Sequence, residues 1–409
     1  MTLASRFDMP GQIWSVAAQH PSGPLFTTTY GANPLETVVS SVDLSGRVLW
    51  ERAYPGTGRP RSRLSASGTL WLARPTDGGG RALEGIRPDG SVDRSVALPC
   101  RAGEEVAAFV VLGDGFCVSW AGAAPVLLAP GVQPSRVPRV ARYSREGHCL
   151  WSTPIDLGPV SHPGLLEMNA ETGWEIQMSA PRQPSWVEAS HREPLLVSGD
   201  RLAAGFTDGR SGVGRTFFLD LVSGALVAVT DPAPSGRKAI AGPGAFLIGA
   251  LGYGECATRG FDRDGAQSAR WECHGAMTVD GLGAARGPAR SVGPSCTSQF
   301  RLLTTSNSFV DGPHLADHHT SHPAVDTNGT AVFWLGGKLL AVDSDMTLRE
   351  LFASKDDRSV LGRTLLLDRG RVVQSLGSEI LVFRTDMAAL GNGPWPCGDA
   401  NLLGNPVLE

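Results

Sequence analysis

Lysine is nearly missing from this chain, supplying only three of 36 basic residues, and the formal net charge is −4. A charge that small does not build the cationic surface that neutralises phosphates, so nucleic acid is excluded as the main partner. Long apolar runs are missing too: no stretch approaches the roughly 20 residues of a membrane-spanning helix. The opening MTLASRFDMPGQIWSVAAQ lacks the basic region, apolar stretch and small-residue cleavage site of a secretory leader. The chain therefore reads as cytoplasmic, or as periplasmic or secreted with its leader removed. Its seven cysteines include no CxxC pair and no adjacent pair, and an odd count leaves at least one thiol over if the others pair. GxSxG, the P-loop, GxGxxG after a strand and HExxH are all absent. The usual nucleophile, phosphate and zinc-protease signals go with them.

Glycine and proline are plentiful, at 51 and 29, which favours frequent turns over long helices. Short apolar runs recur around glycine turns: WSVAAQHPSGPLFTTTY, RSRLSASGTLWLAR, VAAFVVLGDGFCVSW, PLLVSGDRLAAGFT, KAIAGPGAFLIGAL, PAVDTNGTAVFWL and RTLLLDRGRVVQSL. Each reads as a β-hairpin. A second hairpin follows most of them, as in VVSSVDLSGRVLWERAY and TRGFDRDGAQSARWEC. Two hairpins make a four-stranded antiparallel unit.

The glycines that end the first hairpins (Gly23, Gly68, Gly115, Gly199, Gly244, Gly329, Gly370) recur about every 40 to 50 residues, with two gaps of double length. That period, at four strands per repeat, is the mark of a β-propeller. The expectation is an all-β chain, residues 1–409 forming a single β-propeller domain of four-stranded antiparallel blades, with seven blades and eight as the alternative. Strands from the two termini would close the ring, removing an exposed edge. Residues 119–137 and 275–320 read as long loop insertions on one face.

The second hairpins carry a resemblance. Asp43, Gly46 and Trp50 in VDLSGRVLW, Gly147 and Trp151 in YSREGHCLW, and Asp262, Gly265 and Trp271 in FDRDGAQSARW look like the repeat of pyrroloquinoline-quinone-like β-propellers. The Asp and Gly suit a tight turn, and the Trp offers a flat apolar surface to dock between blades. The ending LGNGPWPCGDANLLGN is similar to a PWP tail found beside such repeats. DLVSGALVAV and DSDMTLRELF depart from the repeat by lacking the Trp.

The resemblance implies either quinone-dependent dehydrogenases, which bind the cofactor with calcium and often use adjacent cysteines, or non-catalytic binding and scaffold proteins. Without adjacent cysteines or a calcium-ligand set, the quinone-dependent reading is set aside. The leading expectation is a soluble, monomeric, non-catalytic scaffold that binds a protein partner or small molecule through its loop-rich face. Arg286, Arg290 and Arg301 would bring positive charge to that site.

The alternative is a metal-dependent enzyme. Four of the chain's nine histidines crowd into PHLADHHTSHPAVDTNG, ahead of an innermost strand. His162, His191, His314, His318, His319 and His322 would share the loop-rich face and hold zinc, copper or iron near the axis. A solvated polar loop explains the same run, because adjacent His318 and His319 point apart in extended backbone. Cys256 and Cys273 flank the FDRDG turn and should face each other across its two strands, as a disulfide or as two thiols.

Overall fold

The computed structural model describes residues 1–408 apart from 31–35, 56–61, 77–78, 123–136, 161–165, 169–174, 178–182, 185–186, 190–194, 210, 235–238, 243–244, 253–254, 291–297, 305–306, 318 and 355–361. Strands dominate, as frequent turns dictate. The chain divides into two compact units, Met1–Ala97 with Gly275–Pro406, and Leu98–His274 with Val407–Glu409.

The first unit carries five sheets, four of them four-stranded and that of blade 6 five-stranded, here numbered along the chain. Blade 1 runs Gln12–Ala18, Leu25–Tyr30, Glu36–Val42, Val48–Pro55, and blade 2 runs Ser62–Leu64, Leu70–Pro75, Arg81–Ile86, Val92–Leu98. Blade 6 has Thr278–Val279 innermost, then Ala285–Arg290, Ser298–Leu303 and Phe309–Leu315. Blade 7 runs Ala324–Val325, Ala331–Leu335, Lys338–Val342, Leu348–Ala353. Blade 8 takes Leu365–Leu366, Arg371–Leu376 and Glu379–Arg384, and its outermost place is filled by Thr2–Asp8, antiparallel to Glu379–Arg384.

The second unit carries three sheets, that of blade 4 seven-stranded because Val187–Ala189, Ala233–Pro234 and, in parallel with Leu195–Ser198, Val407–Leu408 also pair into it. Blade 3 is Glu104–Leu112, Gly115–Gly122, Arg139–Ser144, Cys149–Pro154; blade 4 is Leu195–Ser198, Arg201–Asp208, Val213–Asp220, Leu226–Val229; blade 5 is Ala239–Gly242, Ala245–Gly252, Glu255–Asp262, Gln267–Trp271. A separate hairpin pairs Leu166–Met168 with Glu175–Gln177.

The sheets are β-propeller blades, and eight of them are formed by the described residues, which corrects the expectation of seven. Blade 6 makes the difference. It occupies the stretch read as a 275–320 loop, whose strands ARGPAR and SQFRLL lack the β-branched alternation that announces the others. Its glycines are there for close approach: a Cβ at Gly275 or Gly287 would lie within 2.0 Å of a backbone carbonyl oxygen, of Pro288 or of Ala276 respectively. Of the other expected insertion, 119–122 lies in a strand of blade 3, and 123–136 lies outside the described residues.

The Asp–Gly turns behave as their chemistry requires. Asp43 Oδ1 accepts from Ser45 N at 2.9 Å and from Ser45 Oγ at 2.6 Å. Asp89 holds Ser91 in the same way at 2.9 and 2.7 Å. These bonds lower the pKa of both carboxylates, the serine hydroxyl contributing most.

Tryptophans then lock blade to blade. Trp50 of blade 1 lies against the turn glycine Gly90 of blade 2, its Nε1 donating to Pro88 O at 2.7 Å. In the second unit Trp151 of blade 3 covers Gly224 of blade 4 and donates to Leu221 O at 3.1 Å. Blade 4 has no such Trp, and Phe218 with Ala228 meets Gly265 of blade 5 instead. Phe218 packs there against Phe246 and Phe261, at 5.1 and 5.5 Å between ring centroids.

Candidate functional site

The C-terminal segment organises the innermost strands of the first unit. Val279 N of blade 6 donates to Trp395 O at 2.8 Å, and Val325 N of blade 7 to Pro396 O at 2.8 Å. Ala18 N of blade 1 donates to Leu402 O at 2.9 Å, and Leu64 N of blade 2 to Leu403 O at 3.2 Å. These innermost N–H groups have no strand beyond them, and the tail supplies the acceptors that buried amides require. Apolar side chains follow the same route. Cys397 joins the core shared by blades 7 and 8, Leu402 that of blades 8 and 1, and Leu403 packs on that of blades 1 and 2.

Three polar side chains meet under this tail. Arg63 comes from the innermost strand of blade 2, Arg363 lies just before that of blade 8, and Asp399 belongs to the tail. Both arginines are more than nine-tenths buried. Arg63 Nη1 lies 3.6 Å and Arg363 Nη1 3.4 Å from Asp399 Oδ2. Arg63 Nη1 also donates to Gly404 O at 2.7 Å, and Arg363 Nη2 to Asn401 O. Arg363 Nε is buried and has no hydrogen-bond partner among the described residues.

Neighbouring groups hold this arrangement in register. His322, just before the innermost strand of blade 7, forms a parallel bridge with Arg363: His322 N donates to Gly362 O at 2.8 Å and Thr364 N to His322 O at 2.9 Å. Buried hydroxyls link the same segments, with Ser321 Oγ 2.8 Å from Thr364 Oγ1. The tail comes so close that a Cβ at Gly398 would lie 2.8 Å from His322 Cβ and 3.0 Å from Arg363 Cβ. Asp399 and Ala400 have φ of 57° and 71°, a left-handed conformation uncommon outside glycine. Burial pushes the thiol of Cys397 up to about 11, while the nearby Arg363 charge pulls in the other direction.

The arginines singled out in the sequence fall elsewhere. Arg286 and Arg301 sit on adjacent strands of blade 6, on rungs that turn them to opposite faces of the sheet, and Arg290 shares the face of Arg286. Arg286 is buried, bonded to the Asp280 carboxylate and to Gly329 O at 3.2 Å. Arg301 is buried as well, with Nε 2.8 Å from Asp311 Oδ1 and its guanidinium 4.4 Å over the Phe309 ring.

Among the histidines, His314 is exposed on the outermost strand of blade 6, His319 is exposed, and His322 is buried. His162, His191 and His318 lie outside the described residues. Among the described residues no three His, Cys, Asp or Glu side chains converge as a metal site. Cys256 and Cys273 are both buried thiols, and Thr258 Oγ1 donates to Cys273 O at 2.8 Å.

Arg63, Arg363 and Asp399 were not singled out by the sequence. The available signal was Asp399 between two glycines in PCGDANLLGN, a spacing suited to a tail pressed against other backbone.

No family model matches this chain, and no curated protein matches it. Solved structures similar to it include the β-propeller domain of Cps50 (Swd1) from Myceliophteria thermophila, at 14% identity over 94% of this chain and 99% of that one, TM-score 0.49. Virginiamycin B lyase from Staphylococcus aureus is similar at 12% identity over 92% and 97%, TM-score 0.44. The Dos1 propeller is similar at 10% identity over 91% and 78%, TM-score 0.46. The blade assignment rests on the strand pairing itself, and the pyrroloquinoline-quinone-like motifs stand as a resemblance in the turns.

Proposed function

We propose that this chain is a non-catalytic binding scaffold. It engages a protein or small-molecule partner at the end of the blades where each outermost strand passes to the next innermost one. The observation that carries this reading is the convergence of Arg63 and Arg363, both buried, on the single carboxylate of Asp399. Guanidinium groups stay protonated at any physiological pH, so they grip oxyanions and carry no proton between reactants. Backbone pairing through His322 and the tail holds the two guanidinium groups in place beside that carboxylate.

A cross-linking experiment tests this. A photoreactive group is placed at residue 319, exposed ahead of the innermost strand of blade 7, and separately at residue 282, which is 93% exposed in the first-hairpin turn at the other end of blade 6. In extracts of the source cells, adducts should form from position 319 and not from 282. Adducts from neither position, or equally from both, would sink the proposal.

A further inference from the structure

We infer that Arg63 and Arg363 form a receptor for an oxyanion, the carboxylate or phosphate group of a ligand, and that the tail occupies it in cis through Asp399. The inference rests on the binding reading above and names the chemistry of what is bound.

The first argument is that the site is built for an anion that Asp399 fills poorly. Charge-assisted hydrogen bonds between guanidinium and carboxylate close to about 2.7–2.9 Å. Here Asp399 stands 3.6 and 3.4 Å from the two arginines, although Arg63 closes to 2.7 Å on the carbonyl of Gly404. Each guanidinium thus closes on a backbone carbonyl while standing farther from the Asp399 carboxylate than a charge-assisted bond requires.

The second argument is the edge of Arg363 that faces no anion. A guanidinium grips an oxyanion best through two parallel N–H bonds. On the Nε and Nη2 edge of Arg363, Nη2 holds only the carbonyl of Asn401, and Nε is buried without a partner among the described residues. A buried N–H left unmade is costly. A tetrahedral or planar oxyanion arriving on that edge would satisfy Nε and take Nη2 from a neutral acceptor.

The third argument is that Asp399 lies where the tail's backbone is strained, next to a part that is bridged to the blades. Residues 389–397 are fastened by paired bridges, Asp326 with Leu390 and Ala324 with Cys397. Asp399 and Ala400 both sit at positive φ, a conformation unfavourable for alanine in particular, and Ala400 is bridged back to Cys397. The following turn accepts from Ala18 N at Leu402 O, from Leu64 N at Leu403 O, and from the two arginines at Asn401 O and Gly404 O. Displacing Asp399 relieves that backbone, while the fastened part keeps the innermost strands of blades 6 and 7 satisfied.

Hydrogen exchange read by mass spectrometry on the full chain decides the matter, comparing inorganic phosphate, acetate and chloride at matched ionic strength and pH. Exchange at residues 398–404 should become several-fold faster in phosphate or acetate, and the anion that acts names the group recognised. Asp399→Asn should bind the active anion about tenfold more tightly, because it removes a competing occupant, and Asp399→Asn with Arg363→Lys should lose that gain. Unchanged exchange at 398–404, or acceleration only elsewhere, overturns the inference, and the unaltered chain gives that answer even if the variants fail to fold. Cross-linking at position 319 without an anion response would leave the scaffold standing and remove the oxyanion receptor alone.

Discussion

The indole of Trp50 lies on Gly90 so closely that a Cβ there would fall 2.6 Å from its Cγ. Gly90 also has φ +85°, so its turn and its interface both require glycine. Gly79, at φ +78° with nothing within 4 Å of its absent Cβ, shares the first demand without the second. Gly79→Ala should therefore cost about 1–2 kcal/mol from backbone strain alone. Gly90→Ala adds displacement of a half-buried indole and should cost at least about 1 kcal/mol more. Urea unfolding midpoints measure both, and equal losses would show that the blade 1 to blade 2 contact yields freely.

Gly398 plays the corresponding part under the tail. Its missing side chain would meet the Cβ atoms of His322 and Arg363, which are attached to bridged backbone and cannot swing away. Gly398→Ala should loosen residues 395–404, raise their hydrogen exchange and lower the unfolding midpoint by about 1–3 kcal/mol. Exchange in that segment matching the unaltered chain would mean that the strand starts move to accommodate the methyl group.

Alkaline pH acts through buried thiols. Burial pushes Cys397 up to about 11 and Cys117 up to about 12, from an ordinary value of 9.0. The unfolded chain then loses these protons near pH 9 while the folded chain keeps them. Their contribution is therefore complete below that pH and falls as pH rises toward about 11 and 12. Tyr54 is also raised, by burial first and by its bond to Glu84 second, and acts in the same direction at higher pH. Cys397→Ala should flatten the decline in urea midpoint between about pH 9 and pH 11. At neutral pH a thiol reagent should label exposed Cys149 while Cys117 and Cys397 stay protected until unfolding.

The blades were legible where glycine turns and apolar strands repeat, since each hairpin states its own local chemistry. Trp50 and Trp151 could be read as docking residues for the same reason: a large indole two to four residues past a turn has few other uses. Blade 6 was illegible because its strands are shaped by neighbours. Pro288 and Arg286 lie within one strand, and Gly275 and Gly287 are set by carbonyl oxygens elsewhere in the sheet. Arg286 and Arg301 look like surface charge in sequence, yet Asp280 and Asp311 neutralise them in place. The meeting of Arg63, Arg363 and Asp399 joins positions more than 300 residues apart in part, and no local pattern encodes it.

The histidine run divides into two physical roles. His319 is exposed, so His319→Ala should change stability by no more than about 0.5 kcal/mol. His322 is 6% exposed, its backbone bridges Arg363, and its side chain lies beneath Gly398. His322→Ala removes a wall of the tail's seat and should cost about 2 kcal/mol or more. Thermal unfolding with elemental analysis of each variant separates packing from ligation. A metal present in the unaltered chain and lost with His319→Ala would assign that side chain a ligand role. A loss of stability confined to His322→Ala assigns the run to the support of the tail, because only a buried imidazole has packing to lose.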